Sequence, residues 1–225
     1  MNFTKHIIQS SILGRMAHAD VSLGMPPLTH AFVLFGGSGV DEEEYVLRSE
    51  TTPPIFDSLL DDQSDRTFLF AYISAPYDVP FRRFTEDPSL AASWNRHILE
   101  ELFDEWSTLP FFVCGFSGGN ALAFNGIHSD KRRFGGACLG ADALPQDLSL
   151  PERWLAPLKI YSAFNDEVAN HAANRSTADT LVEAGIAEHY LLRSGRHRLQ
   201  DYATKECLGR LFTSASEMAS ELTIE

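Results

Sequence analysis

From Thr29 to Phe35 the chain reads Thr-His-Ala-Phe-Val-Leu-Phe, with His30 the one strongly polar interruption. An apolar run of this length is the pattern of a strand buried on both faces. Similar runs recur at Thr67–Ile73, at Leu109–Cys114 (where Pro110 opens the run), at Phe134–Leu139, at Leu158–Phe164 after Pro157, and at Glu188–Leu192. Between them the apolar positions change to helical spacing. Leu90, Trp94, Ile98, Leu102 and Trp106 step by four and predict a helix over Ser89–Trp106. Asn120–His128, residues 171–184 (ended by Gly185) and Leu199–Leu222 are further predicted helices. Asp41-Glu42-Glu43-Glu44 suits a helix start, where carboxylates meet the positive end of the dipole. Thr51-Thr52-Pro53-Pro54 breaks that segment, and Ile55–Leu60 predicts another turn or two. Near the N-terminus, Ile7, Ile8, Ile12 and Leu13 predict a short amphipathic helix over residues 5–17, ended by Met25-Pro26-Pro27. The expected organisation is a helical arm, residues 1–28, and one domain, residues 29–225.

Strands alternating with helices imply an α/β fold with a mostly parallel central sheet and helices on both faces. In such sheets ligands bind beyond the C-terminal ends of the strands. Strand ends therefore supply the candidate site residues.

The most informative strand end is Gly115-Phe116-Ser117-Gly118-Gly119, which joins a predicted buried strand to a predicted helix. In that context G-x-S-x-G marks a nucleophile elbow, a strained turn that presents the serine. Gly115 and Gly119 let strand and helix pass close together. The pentapeptide alone is a short pattern, so downstream partners must support it. Acyl transfer calls for a base, an orienting acid and oxyanion donors. Of the eight histidines, His197 is the one that follows the last predicted strand, on the turn Arg193-Ser194-Gly195-Arg196-His197. His97 and His128 fall within predicted helices, His189 within a strand, and His6, His18, His30 and His171 at element ends. Asp166 ends the strand before His197's helix and strand, and is preferred as the acid over Asp142, one strand earlier. A turn or helix cap is the ordinary role of such an aspartate.

With these residues in place, the sequence resembles the α/β-hydrolase fold over residues 29 to about 215. Within it the similarity is to small capless serine hydrolases of carboxylesterase, phospholipase-like or dienelactone-hydrolase-like type. The order Ser117, Asp166, His197 is that family's chain order. The resemblance implies a Ser117 nucleophile, a His197 general base and an Asp166 that orients it. It implies one oxyanion donor at the N–H of Gly118 and a second in the loop after the first long strand, at Gly37 or Ser38. It departs from the family at Phe35-Gly36, where many members carry His-Gly. A cap domain is not expected, because residues 141–157, between two strands, are too few to form one with its own core. The site's walls are then expected from that segment and from the loop 74–88. Tyr77, Phe81 and Arg82 are the substrate-binding candidates there, with Phe116 beside the serine.

Composition narrows the alternatives. The net charge is −13, from 18 basic and 31 acidic residues among 225. A surface of that sign repels phosphate backbones, so a nucleic-acid partner is not expected. The glycine run 36–39 lacks a following Gly-Lys-Ser/Thr, which argues against a phosphate loop. Cys114, Cys138 and Cys207 are far apart, have no metal-ligand spacing, and read as reduced core thiols of a cytoplasmic protein. No apolar run approaches a membrane span, and Ala17-His18-Ala19 resembles a leader cleavage site only superficially. The expected activity is hydrolysis of a small-molecule carboxylic ester, or of a thioester, with no metal or organic cofactor. A non-catalytic ligand-binding protein and an acyltransferase on the same fold are the alternatives. A monomer or a homodimer is expected.

Overall fold

The computed structural model describes residues 3–10, 15–23, 27–36, 67–74, 111–129, 134–140, 158–163, 171–192 and 196–202, with residues 87, 89, 90, 93, 96, 97, 109, 206, 207, 210 and 211. Among the described residues eight strands form one sheet: β1 (Phe3–Ser10), β2 (Arg15–Leu23), β3 (His30–Phe35), β4 (Phe68–Ser74), β5 (Phe111–Phe116), β6 (Phe134–Gly140), β7 (Leu158–Ala163) and β8 (Ala187–Leu192). Three described helices accompany them: α1 (Gly119–Ser129), α2 (His171–Glu183) and α3 (Leu199–Tyr202). The strand order is β1-β2-β4-β3-β5-β6-β7-β8. From β4 to β8 all neighbours are parallel, whereas β2 runs antiparallel to both β1 and β4.

The N-terminus corrects the sequence reading. Residues 5–17 are not a helix, and residues 1–28 are not a separate arm. Phe3–Ser10 and Arg15–Leu23 are strands that extend the sheet, with His18–Leu23 registered against Ser74–Leu69 of β4. His6 and His18 therefore lie within strands, not at element ends. The four isoleucine and leucine positions suit either period over so short a span. A ladder of backbone hydrogen bonds to a distant strand decides between them.

The other predicted strands fall where the apolar runs are. Ala31–Phe35 and Phe68–Ile73 are each at most 2% exposed. Side chains alternate across a strand, so this burial means that both faces of the sheet centre are covered. On one face, alternate residues Phe32, Leu34, Phe70, Tyr72, Phe112, Cys114, Phe116 and Tyr161 form a cluster with Tyr202, Cys207 and Leu211. The helical positions 206, 207, 210 and 211 agree with the predicted C-terminal helix. The Tyr161 hydroxyl ties this segment to β7 by donating to the Cys207 carbonyl at 3.2 Å. The Arg210 guanidinium lies 4.3 Å from the Tyr190 ring centre, which adds a contact to β8. Cys114 and Cys207 are buried thiols outside any disulfide among the described residues. Ser89, Leu90, Ser93, Arg96 and His97 are helical, and the Asp87 carboxylate caps that start by accepting the Leu90 N–H at 3.0 Å. No described helix is long and apolar enough to cross a membrane.

The chain leaves β3 for β4 on one side and returns to β5 on the other. β3 and β5 are parallel neighbours whose onward connections therefore diverge. A crevice opens beyond the C-terminal ends of such a strand pair. Gly36 directly follows one of these strands and Ser117 the other.

Candidate active site

Ser117 follows β5 directly, with α1 beginning two residues later at Gly119. Its φ is 52°, the one positive value at a non-glycine position among the described residues. A left-handed conformation at an L-residue costs on the order of 1–2 kcal/mol and persists where the surroundings over-determine it. Here they do. The Asn120 N–H donates to the Ser117 carbonyl at 3.0 Å, closing the turn. A Cβ on Gly115 would lie 2.7 Å from Asn120 Cα, and one on Gly119 would lie 2.0 Å from the Phe35 carbonyl oxygen. Glycine at both positions lets α1 start against β5, as the spacing predicts, and also against the end of β3. The Gly118 N–H, directly after Ser117, belongs to a buried residue at the head of α1.

The partner arrives from the far end of the chain. Ser117 Oγ and His197 Nε2 are hydrogen-bonded at 2.8 Å across a separation of 80 residues, and both residues are half-buried. An imidazole nitrogen at that distance can take the hydroxyl proton as the oxygen attacks an electrophile. The His197 ring packs on Phe116 (5.3 Å between centres), and Phe116 packs on Tyr202 (5.8 Å). Phe116, a candidate substrate contact from the sequence, is 7% exposed and belongs to the core cluster. It forms the apolar backing of His197.

Phe35, where the resembled family often has histidine, is 1% exposed and lies in the core. Gly36 continues the ladder by donating its N–H to the Ile73 carbonyl at 3.0 Å. The loop it opens, with Gly37 and Ser38, lies outside the described residues. So do Asp166, Asp142, Tyr77, Phe81 and Arg82.

Two other histidines, His30 and His189, have different surroundings. His30 begins β3, at the opposite end from Ser117, stacks on Phe112 and packs tilted against Phe68. His189 Nε2 is 2.8 Å from Ser162 Oγ, which makes a second serine–histidine pair. Ser162, however, lies within β7 and is 5% exposed, with no strained turn to present its hydroxyl.

One feature of the His197 turn escaped the sequence reading. The Asp201 carboxylate accepts the Arg196 N–H at 2.7 Å and the Arg198 guanidinium at 2.9 Å. The only signal for it in sequence is the Arg198–Asp201 spacing of three at a helix start, which is also common at surfaces.

No protein-family model matches this sequence, and no curated protein does. Solved structures are similar in architecture. A thermostable esterase superposes with a TM-score of 0.67 at 16% identity, over 94% of this chain and 62% of that one. This chain thus spans less than two thirds of that protein's length. A ferulic acid esterase superposes at 0.65 with 9% identity, covering 95% and 97% of the two chains. A predicted CIB-like hydrolase from Thermoplasma acidophilum gives 0.60 at 12% identity, covering 97% and 99%.

The fold is that of the α/β-hydrolases. The second and third structures and this chain cover each other almost entirely. Within this hydrolase fold the Ser117 turn occupies the strand-to-helix junction at the switch of strand order, and His197 occupies the segment after the last strand.

Proposed function

We propose that the protein is a serine hydrolase that cleaves a carboxylic ester. The observation that carries this reading is the 2.8 Å contact of His197 Nε2 with the hydroxyl of a serine at φ 52°. Either feature alone has an ordinary explanation. Together they join a strained, presented hydroxyl to a base, an arrangement a stable fold has no need of.

In the proposed reaction Ser117 Oγ attacks the acyl carbon while His197 takes its proton. The oxyanion that forms is held by the Gly118 N–H and by an amide of Gly37 or Ser38. The tetrahedral species collapses as His197 returns the proton to the leaving alkoxide, giving acyl-Ser117 and an alcohol. Water, deprotonated by His197, then releases the acid and restores the serine. Asp166 is assigned the role of holding the imidazole tautomer and stabilising the imidazolium. The esterase names among the structural neighbours support the ester as the scissile group. The short 141–157 segment favours small, water-soluble esters over emulsified long-chain lipid. No metal or organic cofactor takes part in this scheme.

The test is a fluorophosphonate probe, followed by a panel of esters graded in acyl length and charge. One adduct at Ser117, lost in Ser117→Ala, with turnover of short esters, is the expected result. No adduct would overturn the proposal in favour of a binding protein. Transfer of the acyl group to an added alcohol or thiol without hydrolysis would make it an acyltransferase.

A further inference from the structure

The residues around His197 carry an assignment that spacing alone does not. We infer that Asp201 is a positioning residue for His197, an inference that rests on the reading of Ser117 and His197 as nucleophile and base. The Arg198 N–H donates to the Arg196 carbonyl at 2.7 Å, so His197 is the tip of a tight turn closed by its two neighbours. The Asp201 carboxylate holds both sides of that turn. On the near side Oδ2 accepts the Arg196 N–H at 2.7 Å. On the far side the Arg198 guanidinium reaches Oδ1 at 2.9 Å and Oδ2 at 3.1 and 3.2 Å. The Asp201 N–H in turn donates to the Arg198 carbonyl at 3.0 Å. The next residue, Tyr202, is 5% exposed and packs on Phe116, the ring behind His197. The first turn of α3 therefore fixes the turn through residue 201 and the backing ring through residue 202.

Stability does not account for this arrangement. Arg198 is 61% exposed, and an exposed ion pair at this spacing contributes little. The bond from the Arg196 backbone N–H is different. It is charge-assisted, its acceptor is 18% exposed, and it fixes where the chain turns toward Ser117. An imidazole that must meet the serine oxygen at 2.8 Å tolerates little drift. Misplacement by 1 Å can lower rates by about 100-fold.

Asp201→Ala releases both sides of the turn, Arg198→Ala only the exposed one, and Asp201→Asn keeps an acceptor for the Arg196 N–H. Fluorophosphonate labelling and steady-state ester hydrolysis would be compared at matched folded fraction, set by urea titration. Asp201→Ala should lose about 10- to 100-fold in kcat and in labelling rate, with KM within about threefold of wild type, as expected for a loss at the reacting groups. Asp201→Asn should recover most of that loss, and Arg198→Ala should lose less than Asp201→Ala. In the Asp201→Ala background, Arg198→Ala should add almost nothing, because the clamp is already gone. If Asp201→Ala does not fold, the ranking of Asp201→Asn above a longer-armed Asp201→Glu decides the matter, and equal activities overturn the assignment. Wild-type rates in a folded Asp201→Ala, or a rise in KM with kcat unchanged, overturn it too. Wild-type protein that takes no label at Ser117 overturns the hydrolase reading together with this one. A labelled wild type beside an equally labelled Asp201→Ala removes only the role of Asp201.

Discussion

Gly119 sits so close to Phe35 that a Cβ built on it would fall 2.0 Å from the Phe35 carbonyl oxygen and 2.8 Å from that of Gly36. Both obstacles are backbone, so no side chain can rotate out of the way. Gly119→Ala must displace either the start of α1 or the end of β3. Overpacking of this kind costs about 1–3 kcal/mol. The same backbone carries Ser117 and opens the loop assigned to the oxyanion. Fluorophosphonate labelling should therefore fall by more than the stability loss alone would give. Wild-type urea stability together with wild-type labelling would show that the contact is slack.

The left-handed turn at Ser117 gives a second prediction. Ser117→Ala and Ser117→Gly both remove the hydroxyl and its bond to His197, so both should be inactive. They differ only in how they bear φ 52°. Alanine keeps the strain, whereas glycine releases it at some cost in unfolded-chain entropy, leaving Ser117→Gly about 0.5–1 kcal/mol the more stable. Chemical denaturation of the two variants measures this directly. Equal stabilities would mean that the turn stores no strain.

Away from the site, Lys159 and Glu188 join β7 to β8. Lys159 is 3% exposed, and its ammonium lies 2.6 Å from Glu188 Oε1. The Lys159 hydrogen bond, then the Tyr190 hydroxyl donating to the other oxygen, hold the Glu188 carboxyl below its ordinary 4.5. A carboxyl depressed in the folded state adds stability that is complete above its unfolded pKa. That stability is lost as pH falls through the lower folded value. Glu188→Gln should flatten this acid limb of the stability curve. Near neutrality it should cost about 1–3 kcal/mol, toward the lower end because Glu188 is 45% exposed. Lys159→Met in the same background should restore most of the loss, because no charge is then left buried. Tyr190 responds at the other end of the scale. Burial and then the bond to Glu188 raise its hydroxyl above 10. Its contribution is present below pH 10 and is lost as pH rises through the folded value.

The acid that orients His197 can be assigned by two conservative changes. Under the proposed mechanism Asp166→Asn lowers kcat by up to about 10⁴, the scale known for a serine triad. Asp142→Asn should keep most activity, because that residue ends an earlier strand. Steady-state kinetics on any accepted ester gives the ranking, and the reverse order would transfer the role to Asp142.

β3 and β4 were legible because each is an apolar run buried on both faces, and burial is written in composition. The elbow was legible because Gly115, Ser117 and Gly119 are required by local geometry: one residue at positive φ, flanked by two close approaches. The N-terminal strands were not. Ile7 and Ile8 suit a strand as well as a helix, and what settles the matter is β4, which follows more than forty residues later and lends β2 its ladder. The role of Phe116 was hidden for a related reason. Its neighbour in sequence is the serine, but its neighbours in space are His197 and Tyr202.

By itself the sequence determined the alternation of strands and helices, the place of the turn, and the candidates Ser117 and His197, since each of these follows from local pattern and backbone sterics. Only the tertiary structure decided that His197 meets Ser117 across 80 residues, that Asp201 grips the turn bearing that histidine, and that β1 and β2 extend the sheet. Those outcomes depend on which distant surfaces are buried together. Such pairings are set by the free energy of the whole packed chain, and no local window contains it.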